Sequence, residues 1–327
     1  MRYFLILCTA LLALSGCTNR STWRSADGAV WATTYHITYL ADRELHDSII
    51  AVMARVEESL SPFENESLIS KINRGETDVA DSMLATVFSR AAEISEASGG
   101  LFDPTVAPAV NLWRFGYRDS GREPMDAEID SVRALVGIGD CALIGGRIVK
   151  KSPATEFDFS AITKGFGCDE VGRMLERNGC KNYMVEIGGE IALRGSNRHG
   201  ENWRIMVDAP VENDSAVVHE RLTVVALTDC GIATSGNYRN YRDTDRGRIG
   251  HTINPLTCHP VKSRTLSATV TAPDAMTADA LATACMAMDV DKAMEMIERR
   301  EAPAAMIVVA DSLGGMQVRV TSRFPEL

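Results

Sequence analysis

The sequence lacks several signatures that would fix a function class at once. It holds eight cysteines, yet none form a CxxC pair and no histidines stand at zinc-finger spacing, which argues against a structural zinc site. It lacks a basic excess. Lys and Arg number 34 against 44 Asp and Glu, a formal net charge of −10, so the footprint required for nucleic acid is missing and no nucleic-acid partner is expected. There is no GxxxxGK[ST] spacing, so no P-loop. Internal repeats and low-complexity segments are absent. The apolar run in "MRYFLILCTALLALSGC" is too short to span a bilayer comfortably.

That run is nonetheless informative. Arg2 precedes it, and Leu14-Ser15-Gly16-Cys17 follows. A positive start, a short apolar stretch and small residues before a cysteine read as a signal region and resemble a bacterial lipobox. On this reading residues 1–17 are a lipoprotein signal peptide, Cys17 carries lipid that holds the chain at a membrane, and 18–28 form a tether. The other reading is a plain signal peptide with a chance cysteine. Export makes disulfides possible. The scattered spacing of Cys141, Cys168, Cys180, Cys230, Cys258 and Cys285 favours small buried hydrophobes instead.

The remaining chain, 29–327, has ordinary globular composition, 45% hydrophobic and 24% charged. "WATTYHITYL" (31–40) alternates and is rich in β-branched and aromatic residues, as a strand is. Ile49, Val52, Met53, Val56 and Leu60 recur at helical spacing within 43–60, and Pro62 ends that helix. Further helices are predicted over 81–97, near 126–135, over 162–179 and over 275–288. Small strands are predicted between 141 and 159, with others near 203–208, 221–227, 265–272 and 304–310. Gly188-Gly189 between two apolar runs signals a hairpin. Many hairpins and few βαβ units predict an α+β fold in one compact unit, with a two-lobed arrangement left open.

Several residues could do chemistry. Asp279 and Thr283 are four apart on one helix face, and a carboxylate with a hydroxyl suits Mg²⁺. The same spacing fits a solvated Asp and a Thr bonded to a carbonyl. Asp158 is read at a strand end. Lys164 stands near a helix start in "EFDFSAITKGFG", where it could hold phosphate or lie in an ordinary turn. Thr234, Ser235 and Gly236 read as a turn that could aim N–H groups at an anion. His251 and His259 flank two prolines in "HTINPLTCHP", a rigid loop that could present a base or stay merely solvated. "GLFDPTVAPAVNLWRFG" (100–116) is too broken for a long helix and too irregular for a strand.

Taken in order, "ATTYHI", "LSPFENESLISKIN", "GLFDPTVAPAVNLWRFG", "DFSAITKGFGCDE", "VEIGGEIALRG", "GIATSGNYR", "HTINPLTCHP" and "SATVTAPDAMTADALATA" resemble the ApbE family of flavin transferases from about residue 28 onward. The resemblance implies mixed or antiparallel sheets with packed helices. It implies FAD:protein FMN transfer: a Thr or Ser of a membrane redox subunit takes FMN through a phosphoester, and AMP leaves. It implies a requirement for Mg²⁺ and a lipid-anchored domain facing the periplasm. FAD contacts carried over by matching position are Ala32, Phe63, Leu101, Phe102, Asp103, Asp158, Lys164 and Ile253. Trp113 and Phe115 would pack behind them. The metal would be held by the Ala161 carbonyl with Asp279 and Thr283.

His251 is the expected general base, with Asp279 its rival. Alternatives to transfer are Mg-dependent FAD hydrolysis to FMN and AMP, or flavin binding without catalysis. The chain departs from the family pattern at Thr163 (usually Ala), Asn254 (often Asp), Cys258 (often Gly) and Ala32-Thr33-Thr34 (often Met-Gly-Thr). Phe63 stands where many relatives carry Tyr.

Overall fold

The computed structural model describes residues 21–118, 122–210, 220–236, 241–244, 247–311 and 315–326. The signal-peptide reading and Cys17 lie outside them.

The chain opens with a hairpin. β1 (Thr22–Val30) pairs antiparallel with β2 (Thr33–Ala41), joined by Trp31 and Ala32 alone. A two-residue connection matching strand twist needs positive φ at both positions. Trp31 and Ala32 take φ of 49° and 59° with no glycine to ease it. Residues 22–28, expected as a tether, are thus a strand: β1 completes the edge of the sheet, and alternation in so mixed a segment was too weak to show it. β2 alternates cleanly, burying Tyr35, Ile37 and Tyr39.

Helices α1 (His46–Leu60), α2 (Leu68–Arg74) and α3 (Ser82–Ala97) follow. Ser67 caps α2 and Asp81 caps α3 through side-chain acceptors, which the sequence places just before each apolar run. The broken stretch 100–116 becomes a 3₁₀ turn, Pro104–Val106, and the short α4 (Ala107–Leu112). α5 (Asp126–Arg133) leads to the small hairpin β3 (Ala142–Ile144) and β4 (Arg147–Val149). Residues 150–159 form no strand, so Asp158 sits in irregular chain before α6 (Ser160–Arg177), not at a strand end.

β5 (Tyr183–Ile187) and β6 (Glu190–Arg194) flank Gly188-Gly189 as a hairpin. β7 (Trp203–Asp208) and β8 (Arg221–Leu227) form a separate ribbon. β9 (Gly231–Gly236) contains Thr234 to Gly236, which the sequence reading put in a turn; antiparallel pairing with β14 holds them extended. Small pairs β10 (Tyr241–Thr244) with β11 (Gly247–Gly250) and β12 (Ile253–Asn254) with β13 (His259–Pro260) precede β14 (Thr265–Ala272). α7 (Ala275–Ala287), α8 (Val290–Glu298), β15 (Ala304–Ala310) and β16 (Met316–Val320) end the fold.

The main sheet has eight strands in the order β1-β2-β5-β6-β9-β14-β15-β16, and its neighbours pair antiparallel. The fold is α+β. Alternation in β15 divides the two faces. Ala305, Ile307 and Val309 pack into the helical core with α3, α6 and α7, while Ala304 and Met306 pack with the β7–β8 ribbon around Trp203, Ile205 and Val225. α7 is buried on nearly every side, as an Ala-rich helix with apolar residues all round should be. It carries Asp279 into the core. The six described cysteines are free thiols, and Cys168, Cys180, Cys258 and Cys285 are buried.

Candidate functional site at the α6–α7 contact

Two helices and a glycine turn build the centre of the site. α6 and α7 approach so closely that a Cβ on Gly165 would lie 2.2 Å from the Ala275 carbonyl oxygen. Only glycine allows that contact. Asp169 on α6 completes it by accepting the Ala275 and Met276 N–H groups at 2.9 Å each, satisfying the first donors of α7. Burial, with Asp274 nearby, pushes the Asp169 carboxyl up to about 7.

Asp279 therefore reaches across onto α6. Its Oδ2 accepts the Gly165 N–H at 3.0 Å, and the residue is 3% exposed. In a regular helix the Gly165 N–H would donate to the Ala161 carbonyl, so Asp279 competes for the donor that normally occupies that oxygen. One turn along α7, Thr283 Oγ1 lies 3.3 Å from Ser235 Oγ on β9. Asp279, Thr283 with Ser235, and the Ala161 carbonyl would offer a metal one carboxylate, hydroxyls and a main-chain carbonyl. They are hard, mostly neutral oxygens that suit Mg²⁺, which keeps waters and substrate phosphates as its other ligands. Among the described residues no group of three His, Cys, Asp or Glu side chains is placed to hold a metal.

Lys164 stands in the second turn of α6, beyond the expected helix start. Its Nζ lies 2.6 Å from Glu190 Oε2, whose side chain is 4% exposed against 34% for the lysine. Burial opposes the charge of Lys164, yet Glu190 and Asp279 more than offset this and hold its pKa above the lysine norm. Burial also lifts both carboxyls above their ordinary range, with Lys164 pulling them back. The asymmetry is physical: two buried carboxylates share one ammonium, so the lysine stays charged and the second negative charge is the costly one.

Lys164 lines a cavity of about 380 Å³ with Trp31, Ala32, Pro62, Phe63 and Thr163. Phe63 is 60% exposed and meets Tyr117 edge to face at 6.0 Å. The Trp31 indole packs against α6 where Gly167 leaves room, and its buried Nε1 has no hydrogen-bond partner. Ala32, Phe63 and Lys164 are thus brought together, on a strained turn, a loop and a helix.

The 100–116 stretch does not line this cavity, but Pro104 holds the approach to α6, its carbonyl accepting the Asp158 N–H at 2.7 Å. Phe102 is in the main core and Leu101 packs against it. Asp103 Oδ1 accepts from Thr105 N and Oγ1 at 2.8 and 2.5 Å, and Oδ2 accepts from Ile138 N at 2.9 Å. Its carboxylate is a local cap, raised in pKa by burial and partly restored by those bonds. A second cavity of about 740 Å³ is bordered by Gly100, Asp103, Pro255 and Leu256. Trp113 Nε1 donates to the Cys258 carbonyl at 2.7 Å, and the Phe115 ring lies 6.5 Å from that of His251. The stretch buttresses the histidine loop. Ile253 is buried there with Cys258 and Ala109, and Trp113 packs on them. Cys258 has φ of 56°, a left-handed conformation that glycine adopts more readily than other residues. Asp158 is half-buried, bonds the Ser160 N–H at 2.8 Å, and is raised in pKa by burial. Glu190 and Trp31 were not singled out in sequence. The GGE turn was a visible signal for the first; nothing local pointed to the second.

Known proteins agree with this architecture. A FAD:protein FMN transferase of Vibrio cholerae is 36% identical over 321 residues, covering 95% of this chain and 95% of that protein. One of Haemophilus influenzae is 33% identical over 332 residues, covering 97% and 94%. The solved flavin transferase ApbE from Vibrio cholerae superposes with a TM-score of 0.82 at 33% identity, covering 93% of this chain and 98% of that one. The apo flavinyl transferase ApbE of Pseudomonas stutzeri gives 0.82 at 28%, covering 93% and 96%. The ApbE family model matches residues 31–307, and the chain belongs to that family.

Proposed function

We propose that this protein is a Mg-dependent FAD:protein FMN transferase. The observation that carries the reading is the α6–α7 contact, where an ammonium, a buried carboxylate and hydroxyl oxygens meet beside an aromatic-lined cavity. The cavity suits a planar ring, and Lys164 suits a pyrophosphate. Asp279, Thr283 and the Ala161 carbonyl would hold Mg²⁺, which when bound neutralises pyrophosphate charge and stabilises the departing AMP. Lys164 orients the phosphates. A Thr or Ser hydroxyl of a recipient membrane redox subunit attacks the FMN-side phosphorus, the phosphoanhydride bond breaks, and AMP leaves with the bond electrons. His251, held beside Phe115, takes the hydroxyl proton, a contribution of about 10²–10⁴-fold. We place the protein at a bacterial membrane, facing the periplasm and anchored by lipid on Cys17. Among the described residues no helix is long and apolar enough to cross a membrane.

The test is mass spectrometry of a peptide from a membrane redox subunit, carrying its acceptor Thr or Ser, incubated with the protein, FAD and Mg²⁺. Metal-dependent gain of FMN mass with AMP release is expected. Unmodified peptide with free FMN and AMP would move the reading to a pyrophosphatase, and intact FAD would leave only flavin binding.

A further inference from the structure

The Lys164–Glu190 pair is built too deliberately for an incidental ion pair. The stem of Lys164 lies over the glycine turn, where a Cβ on Gly188 would come within 3.2 Å of Lys164 Cδ. Gly188 has φ of 65°, a conformation that disfavours other residues. The turn is pinned on its far side, because Gly189 N–H donates to Glu186 Oε1 at 2.6 Å. The Glu190 backbone is pinned from α6, because Cys168 Sγ donates to its carbonyl at 3.1 Å. Glu190 then meets the ammonium at 2.6 Å from within the protein. Lys164 lines the cavity and Glu190 does not.

The charge balance gives this geometry a consequence. Lys164 is the one cation among the described residues lining that cavity, which also holds the carboxylates of Glu57 and Glu64. A phosphate entering there has a single ammonium to meet, and that ammonium already carries a carboxylate behind it.

We propose that Glu190 is a positioning residue and internal counter-charge for Lys164, fixing the ammonium at the cavity wall while weakening its hold on the substrate's phosphates. This rests on the proposed placement of the FAD pyrophosphate at Lys164. Such a counter-charge keeps the site from retaining anionic products. Removing it leaves a more attractive ammonium, so ground-state binding of phosphate-bearing flavin tightens while turnover slows, either through mis-set lysine geometry or through retained product. A residue needed only for folding would do the reverse and weaken binding.

The experiment titrates the full-length wild-type protein and Glu190→Gln with FAD and with riboflavin, following flavin fluorescence with divalent metal chelated so that FAD stays intact. Circular dichroism confirms the fold. Expected is FAD binding tighter by roughly tenfold in E190Q, the scale of one charge-assisted contact. Riboflavin, which has no phosphate, should bind both proteins equally. With Mg²⁺ restored, kcat should fall while KM falls too. Equal or weaker FAD binding in folded E190Q overturns the proposal, as does an equal gain for riboflavin. If E190Q does not fold, Glu190→Asp keeps the charge but withdraws it by a methylene, and a smaller gain specific to FAD is expected; no gain overturns the idea. Wild-type protein that binds no FAD removes the parent reading, and this proposal with it.

Discussion

Asp279 does two things that a single substitution separates. Its carboxylate takes the Gly165 N–H, and it is the only carboxylate in the proposed metal set. Asp279→Ala should abolish Mg-dependent turnover, a loss of at least about 10²-fold given the charge stabilisation a metal supplies. FAD affinity measured in chelator should stay within several-fold, because the ring and the phosphates have other contacts. Transfer that persists at saturating Mg²⁺ would sink the metal assignment. Trp31 offers a second measurement at this scale. Its indole lines the cavity, whereas Trp203 packs on the other face of the sheet. If the flavin ring enters that cavity, FAD should quench tryptophan emission, and Trp31→Phe should lose much more of the quenching than Trp203→Phe. Equal losses would place the ring elsewhere.

The contact between α6 and α7 is where an element-scale change reaches the site. Gly165→Ala sets a methyl against the Ala275 carbonyl, so the helices must part. Overpacking of this kind costs about 1–3 kcal/mol, and the same movement separates Asp279 from α6. A lower melting temperature with slower transfer is expected. Gly139→Ala, where a Cβ would meet nothing within 4 Å, should change neither. Asp169 makes the same joint pH-sensitive. Burial holds its pKa in the folded chain at about 7, above the ordinary aspartate value, so the native state holds the proton more tightly than the unfolded chain does. Its contribution to stability is complete below the unfolded pKa and is lost as pH rises through about 7. Denaturant titrations from pH 4 to pH 8 should show the wild type losing stability relative to Asp169→Asn by up to about 1.4 kcal/mol per pH unit, levelling off above the folded pKa. A pH-independent difference would refute the burial argument. This joint also marks the limit of sequence reading. The apolar period of α1, α3, α6 and α7 was legible to within a few residues, as was the Asp279/Thr283 face. The resemblance put Phe102 and Asp103 at the dinucleotide, but could not show that Asp103 spends its oxygens on Thr105 and Ile138. Nor could Glu190 be paired with Lys164, since a turn and a helix 26 residues apart meet only after the sheet forms. β1 and β9 were misread because their hydrogen-bond partners, not their own composition, make them strands.

At the scale of the molecule, the eight-stranded sheet separates two jobs. One face carries the helices that hold Lys164 and Asp279, and the other is closed by the β7–β8 ribbon. Trp203 anchors that ribbon. It is buried, donates Nε1–H to the Arg194 carbonyl at 3.1 Å, and meets Trp23 of β1 edge to face at 5.9 Å. Removing it leaves a large void and an unmatched carbonyl, and buried Trp→Ala changes cost about 3–5 kcal/mol. Yet none of the residues proposed to touch FAD or metal lies in the ribbon's cluster. Stability and site should therefore come apart in Trp203→Ala. Its melting temperature should fall by about 5–10 °C, by the scaling expected for a chain of this size. At a temperature where the variant remains folded, its FAD affinity and Mg-dependent AMP release should match the wild type within about twofold, the scatter expected between distant sites. An affinity that falls in step with stability would mean that the sheet transmits strain from one face to the other, and that the ribbon belongs to the site after all.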